Sequence, residues 1–260
     1  MVPDSRSGAR VLSAVIFDVD GTLADTEREG HRPAFNAAFV AHGLDISWDA
    51  EEYGRLLTIT GGRERVEADL RARGFGDATE LAAEVHRTKT ELFLDQILAG
   101  EILPRPGLVP LVRSLVDNEI RIAVATTGRR AWVEPLVRRF LGAGIVEVMV
   151  TGDDVSQLKP DPEVYLRALE RLDLPAKSAL AVEDSALGLR AASAAGLPTI
   201  VVTTDYTADQ DFTGAATIRP SYLDSEPLLA AGCRQIHRRW WMTRNRTLST
   251  PHDRGESHRQ

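Results

Sequence analysis

Five short apolar runs punctuate the chain: Val11–Asp18, Ile120–Ala125, Val146–Val150, Ala179–Val182 and Thr199–Thr203. Each is β-branched or alanine-rich and apolar on both alternating positions, the mark of a strand buried on two faces. Between the last four lie stretches with apolar residues three and four apart, as at Leu108, Leu111, Val112 and Leu115. That spacing predicts amphipathic helices over Leu108–Asn118, Trp132–Leu141, Pro162–Leu172 and Ala186–Ala195. Strands alternating with helices predict an α/β fold with a Rossmann-like parallel sheet covered by helices. Ligands of such sheets sit beyond the carboxyl ends of the strands.

One interval breaks the alternation. From about residue 24 to 104 only helical patterns occur, over Arg32–His42, Gly62–Arg73 and Ala78–Leu98, and the Pro-rich "LPRPG" at Leu103–Gly107 closes the interval. The pattern predicts a discontinuous α/β core, residues 10–24 and 105–225, interrupted by an inserted α-helical cap over 25–104. A cap placed directly after the first strand overhangs the strand ends, where it can exclude water and select substrate. After about Ser225 the periodicity fades into "RRWWMTRNRTLSTPHDRGESHRQ". Residues 226–260 are expected to form a basic, frayed tail, with Trp240 and Trp241 packed on the core or turned toward an anionic partner.

Composition narrows the function. The 260 residues are 43% hydrophobic and 27% charged, with net charge −7. Seven arginines and two acids fall in residues 231–260, so the rest of the chain is more acidic still. An acidic body argues against nucleic acid as the partner. The lone Cys233 excludes an internal disulfide and fits a reducing compartment. The first ten residues lack the apolar segment of a secretory signal, and no apolar run is long enough to span a membrane. A cytoplasmic protein, monomeric and without membrane contact, is expected.

The chemistry lies at the strand ends. Asp18 and Asp20 close the first strand; Thr126, Thr127 and Gly128 follow the second; "TGDDVSQLKPDP", with Lys159, follows the third; Glu183, Asp184 and Ser185 follow the fourth. If these strands are neighbours, the four sets share one edge. Two close carboxylates repel and resist burial unless a cation lies between them. Asp18 and Asp184 can hold Mg²⁺, which takes one or two protein carboxylates and keeps waters and a substrate oxygen. Lys159, Thr126 and the turn at Thr127 can hold the remaining oxygens of a phosphoryl group. Asp18 is then placed to attack phosphorus, and Asp20 to protonate the leaving oxygen and later activate water. "LGAGIVEV" (Leu141–Val148) is no dinucleotide fingerprint, since it precedes a strand and lacks the third glycine and following helix.

"DVDGT", a later Thr at a strand end, "KPDP" and "EDS" together resemble the four motifs of the haloacid dehalogenase-like superfamily, in its phosphatase and phosphomutase branch with a helical cap. "TEREGHRPAFNAAF", "YGRLLTITGGRERV" and "TTDYTADQDFTGA" look like the CbbY-type proteins, and the resemblance covers about residues 11–225. It implies a sugar-phosphate phosphatase acting on xylulose 1,5-bisphosphate. Asp18 would be the nucleophile and Asp20 the acid/base. The Asp18 carboxylate, the Asp20 backbone carbonyl and Asp184 would hold Mg²⁺, and Thr126, Thr127 and Lys159 would bind phosphate. Glu27, His31, Thr60, Gly61, Gly62, Arg63 and Arg65 would face the site from the cap, with Arg63 or Arg129 clamping a second phosphate; Gly61-Gly62 lets backbone approach a substrate. A hexose phosphomutase shares these residues, and a broad sugar-phosphate or phosphoglycolate phosphatase is the main competing reading. A dehalogenase needs no second acid/base such as Asp20. A phosphate-sensing regulatory protein on the same fold is the non-enzymatic alternative.

Overall fold

In the computed structural model, residues 11–59 and 61–247 are described. Their sheet has six parallel strands: β1 (Ala14–Phe17), β2 (Arg121–Ala125), β3 (Val146–Val150), β4 (Ala179–Glu183), β5 (Thr199–Val202) and β6 (Thr217–Arg219), ordered β3-β2-β1-β4-β5-β6. The four strands whose ends carry the motifs are therefore consecutive neighbours. Register aligns them too: Phe17 pairs with Val124 on one side and Val182 on the other, so Asp18 emerges level with Ala125 and Glu183. The first strand begins later than its apolar run, because Val11 is exposed.

Alternation sorts side chains onto the two faces. Val15, Phe17, Ile122, Val124, Leu180 and Val182 join one core cluster, while Ala14, Ile16, Ala123, Ala125, Ala179 and Ala181 join the other. The helices α5 (Leu108–Asp117) and α6 (Arg130–Leu141) cover the first face. The second is covered by α7 (Glu163–Leu172) and α8 (Ala186–Ala194). Small residues in the second cluster let α7 and α8 approach the sheet closely.

Between β1 and α5 the chain is helical: a π-helical turn Glu27–His31, then α1 (Arg32–Ala41), α2 (Ala50–Leu56), α3 (Gly62–Ala72) and α4 (Ala78–Ala99). This layer has its own apolar cluster, including Phe35, Phe39, Trp48, Tyr53, Val66 and Leu70. The return linker is pinned by Arg105. Its guanidinium donates to the carbonyls of Gly21 (2.6 Å), Val202 (2.7 Å) and Thr203 (2.6 Å), and its N–H to that of Leu23 (2.8 Å).

The segment expected to fray differs from that expectation over its first part. Ala230–Thr247 is a helix, α9, seated on the core through buried Cys233 and His237 and partly buried Ile236. Trp240 and Trp241 are half-buried on it, and residues 248–260 lie outside the described ones. Its buried stripe includes a histidine, so hydropathy alone did not reveal it. No helix among the described residues is long and apolar enough to cross a membrane.

Candidate active site

The carboxyl ends of β1, β2 and β4 and the loop after β3 meet around the Lys159 ammonium. Lys159 Nζ lies 2.6 Å from Asp18 Oδ1 and 2.6 Å from Glu183 Oε1, and donates to the Ala125 carbonyl at 3.0 Å. The phenol of Tyr165, on the first turn of α7, donates to the same Glu183 oxygen at 2.5 Å. Asp18, Glu183 and Asp184 are all buried, and each offers a carboxylate oxygen within 4.8 Å of the others.

This cluster is short of positive charge. Three carboxylates face one ammonium, away from water. Burial, and then the Asp18 and Glu183 charges, push the Asp184 carboxyl well above its ordinary range. Burial likewise drives Asp18 up, to about 8, against the pull of Lys159. The turn is shaped to let Asp184 in: a Cβ on Gly21, which sits at φ +73°, would fall 2.1 Å from Asp184 Oδ2. A hard-oxygen donor set with excess negative charge fits a divalent cation such as Mg²⁺. Asp18 and Asp184 are the residues that would hold it from their side chains.

Asp20 belongs to a different environment. Its Oδ1 accepts from Thr26 Oγ1 at 2.5 Å and lies 3.2 Å from His31 Nε2. On the far side of the ring, His31 Nδ1 is 2.7 Å from the ammonium of Lys89, which is buried over the rings of Phe35 and Phe93. Burial would raise Asp20, but the hydrogen bonds of His31 and Thr26, with the Lys89 charge, hold its carboxyl below the ordinary range. Two aspartates two residues apart are thus driven in opposite directions by their surroundings, a pattern that separates roles in acid–base sites.

The phosphate-binding candidates sit beside Asp18. Thr126 is buried at the end of β2, its Oγ1 accepting from the Gly128 N–H at 3.0 Å, and Thr127 is half-buried in the same turn. Above, Glu27, Tyr53 and Arg65 form a group: Tyr53 donates to Glu27 Oε2 at 2.5 Å, and Arg65 Nη1 donates to the Tyr53 hydroxyl at 2.9 Å and lies 3.8 Å from Glu27. Gly61 and Gly62 are half-buried at the start of α3, and Thr60 lies outside the described residues.

Two predicted residues are not brought into this convergence. Arg63 is exposed and paired with Glu64 at 3.0 Å; two positions along a helix turn it about 200° from Arg65. Arg129 is exposed and paired with Asp153 at 2.7 Å, while Arg130 pairs with Asp154.

Glu183, Tyr165, Tyr53 and Lys89 went unassigned from sequence. Lys89 carried a readable signal: the buried positions of α4 are Ala78, Ala82, Val85, Lys89, Phe93 and Ile97, a single stripe with one cation in it. A lysine in the middle of an apolar face needs a polar partner.

This chain is similar to known proteins along most of its length. Residues 12–196 match the model of the haloacid dehalogenase-like hydrolases. Protein CbbY of Cereibacter sphaeroides is 45% identical over 217 residues, which is 82% of this chain and 94% of that protein. A phosphorylated carbohydrates phosphatase of Thermotoga maritima is 33% identical over 193 residues, 73% of this chain and 84% of that one. The crystal structure of a CbbY variant from Rhodobacter sphaeroides in complex with xylulose 1,5-bisphosphate is similar at TM-score 0.76 and 43% identity, over 86% of this chain and 99% of that one. With that family matched along most of its length, this chain is a phosphatase of the haloacid dehalogenase-like hydrolases.

Proposed function

We propose that the protein is a Mg²⁺-dependent sugar-phosphate phosphatase that converts xylulose 1,5-bisphosphate to xylulose 5-phosphate. The observation that carries the substrate is the likeness, at 43% identity and TM-score 0.76, to a CbbY crystallised with that sugar bisphosphate. Asp18, with Lys159 at 2.6 Å, attacks phosphorus in line. The bond from an Asp18 oxygen to phosphorus forms as the bond to the sugar oxygen breaks, and Asp20 gives its proton to that oxygen. In the second half Asp20 takes a proton from water, whose oxygen attacks phosphorus and frees Asp18. Thr126, Thr127 and Lys159 hold the phosphoryl oxygens through the transfer. The Asp18 and Asp184 carboxylates and the Asp20 carbonyl would hold Mg²⁺, which when bound neutralises phosphoryl charge. Asp20 starts the cycle as an acid, so its pKa, held below the ordinary range in the resting site, must rise once the anionic substrate is in place. Glu27 and Arg65, tied together by the buried Tyr53 hydroxyl, meet the sugar and its second phosphate from the cap.

The test compares kcat/KM with Mg²⁺ for xylulose 1,5-bisphosphate, β-glucose 1-phosphate and phosphoglycolate. The first is expected to lead by more than about tenfold, or about 1.4 kcal/mol of transition-state discrimination. A smaller margin defeats the specific substrate, and phosphate release surviving in Asp18→Ala defeats the nucleophile.

A further inference from the structure

The loop from β5 to β6 connects the core to the cap at a place the chemistry above does not use. Its first part is a tight turn: Thr207 and Ala208 donate their N–H groups to the Thr204 carbonyl, and Thr207 Oγ1 accepts from the Thr204 N–H. Its second part is fixed to the core. Gln210 Oε1 accepts from the N–H of Ala186, two residues beyond Asp184, and Phe212 is buried against Leu189 and Val201. A loop anchored this way holds what it presents.

What it presents is Tyr206. Among the described residues, Tyr206 is the one member of the cap's apolar cluster that comes from outside residues 25–104. Its ring lies 6.0 Å from that of Tyr53, edge-on, and over Gly54. A Cβ on Gly54 would stand 3.2 Å from the Tyr206 ring, so glycine lets the ring settle on the α2 backbone. Beside it, Asp205 pairs with Arg28 of the cap's first turn. Tyr53 is the residue whose hydroxyl bonds both Glu27 and Arg65. Edge-to-face aromatic pairs have a definite geometry, so displacing one ring displaces the other.

We infer that Tyr206 is a positioning residue for substrate recognition: through Gly54 and Tyr53 it sets the Glu27–Tyr53–Arg65 group over the strand ends. The assignment of that group to the sugar rests on the proposed function; the mechanical link from Tyr206 to α2 does not. Because the ring makes the contacts with Tyr53 and Gly54, Tyr206→Phe preserves that link and Tyr206→Ala removes it.

The experiment has two arms. In the first, amide hydrogen exchange is measured across Ala50–Leu56 in the wild type and both variants. Exchange there is expected to speed up about tenfold or more in Tyr206→Ala, and to stay at the wild-type rate in Tyr206→Phe and in β1 and β4 of all three. In the second, kinetics are followed on xylulose 1,5-bisphosphate and on p-nitrophenyl phosphate, which has neither sugar nor second phosphate. Tyr206→Ala should raise KM for the bisphosphate about tenfold with kcat nearly unchanged, leave p-nitrophenyl phosphate hydrolysis as it was, and be rescued by Tyr206→Phe. Unchanged exchange in α2, or an equal loss on both substrates, overturns the inference. A wild type that cleaves p-nitrophenyl phosphate but no sugar bisphosphate defeats the proposed function instead, and the exchange arm then decides the role of Tyr206.

Discussion

Lys89 Nζ lies 2.7 Å from His31 Nδ1, and the opposite ring nitrogen lies 3.2 Å from Asp20. An ammonium has only hydrogens to offer, so Nδ1 must accept, which leaves the ring neutral with its proton on Nε2, aimed at Asp20. The lysine thus dictates which tautomer Asp20 meets.

Removing that ammonium should cost about 10- to 100-fold in kcat, the range seen when partners behind a reacting or ligating group are lost. Burial lowers Lys89 to about 8, with Glu27 and Asp20 holding it from falling further. The charged form therefore disappears as pH rises through that value, and activity should fall on an alkaline limb near pH 8. Lys89→Arg keeps its charge and should move the limb upward. A pH profile of kcat for the wild type, Lys89→Met and Lys89→Arg decides this; a limb that stays in place in Lys89→Arg rules Lys89 out as its source.

The carboxylate cluster predicts that bound metal and loss of one carboxylate each stabilise the fold, and that the second abolishes the effect of the first. Asp184 is pushed up by burial and by the Asp18 and Glu183 charges, and Asp18 by burial and by the Glu183 and Asp20 charges, so ionising both without a dication strains the folded state. Mg²⁺ at a hundred times its dissociation constant should add about 2.7 kcal/mol of stability, several degrees in Tm. Asp184→Asn should melt higher than the metal-free wild type and gain almost nothing from Mg²⁺. Thermal melts with EDTA and with graded Mg²⁺ test both; an equal Mg²⁺ response in Asp184→Asn excludes Asp184 as a ligand.

The sheet was legible because its strands are apolar on both faces and alternate with amphipathic helices, while the strand order came from the structure. Once four strands are neighbours, the segments that follow them run to one edge, which is why Asp18, Thr126, Lys159 and Asp184 could be named together from the sequence. What escaped was structure whose signal is short or mixed. Helix α2 buries only Tyr53 in seven residues, too little to show a period. Strand β6 is a half-exposed edge of three residues. The choice between Arg63 and Arg65 depends on the rotational phase of α3, which buried Val66 and Leu70 set only after the cap has packed. The Lys89–His31 contact joins residues 58 apart, and nothing local to either announces the other.

Arg105 should be critical to the hinge. Its guanidinium serves the carbonyls of Gly21, Val202 and Thr203 together, and these would be left without donors in Arg105→Ala. Unsatisfied buried carbonyls cost about 1–3 kcal/mol each, so a total loss of about 3 kcal/mol or more is expected in denaturant unfolding. Lysine cannot reproduce a planar fork with several fixed donors, so Arg105→Lys should recover less than half of it. Near wild-type stability in Arg105→Ala would show that water replaces the guanidinium.

Asp154 makes a stability prediction with a pH sign. Burial would raise its carboxyl, but the Thr151 N–H and hydroxyl (2.8 Å each), Arg171 (3.1 Å) and Arg130 (2.6 Å) bring it far below the ordinary 3.8. A carboxyl whose folded value is depressed stabilises the protein fully above its unfolded value and loses that contribution as pH falls toward the folded one. These bonds tie the end of β3 to α6 and α7, so Asp154→Ala should cost about 1–3 kcal/mol at pH 7. The deficit should persist down to about pH 5, the approach to the unfolded value, and shrink as the solution is acidified below 3.8, because the wild type then spends folding energy to keep this group ionised. Parallel urea titrations of both proteins from pH 7 to pH 3 measure it. A deficit that does not change with pH would mean that Asp154 acts through packing, with its charge contributing nothing to the fold.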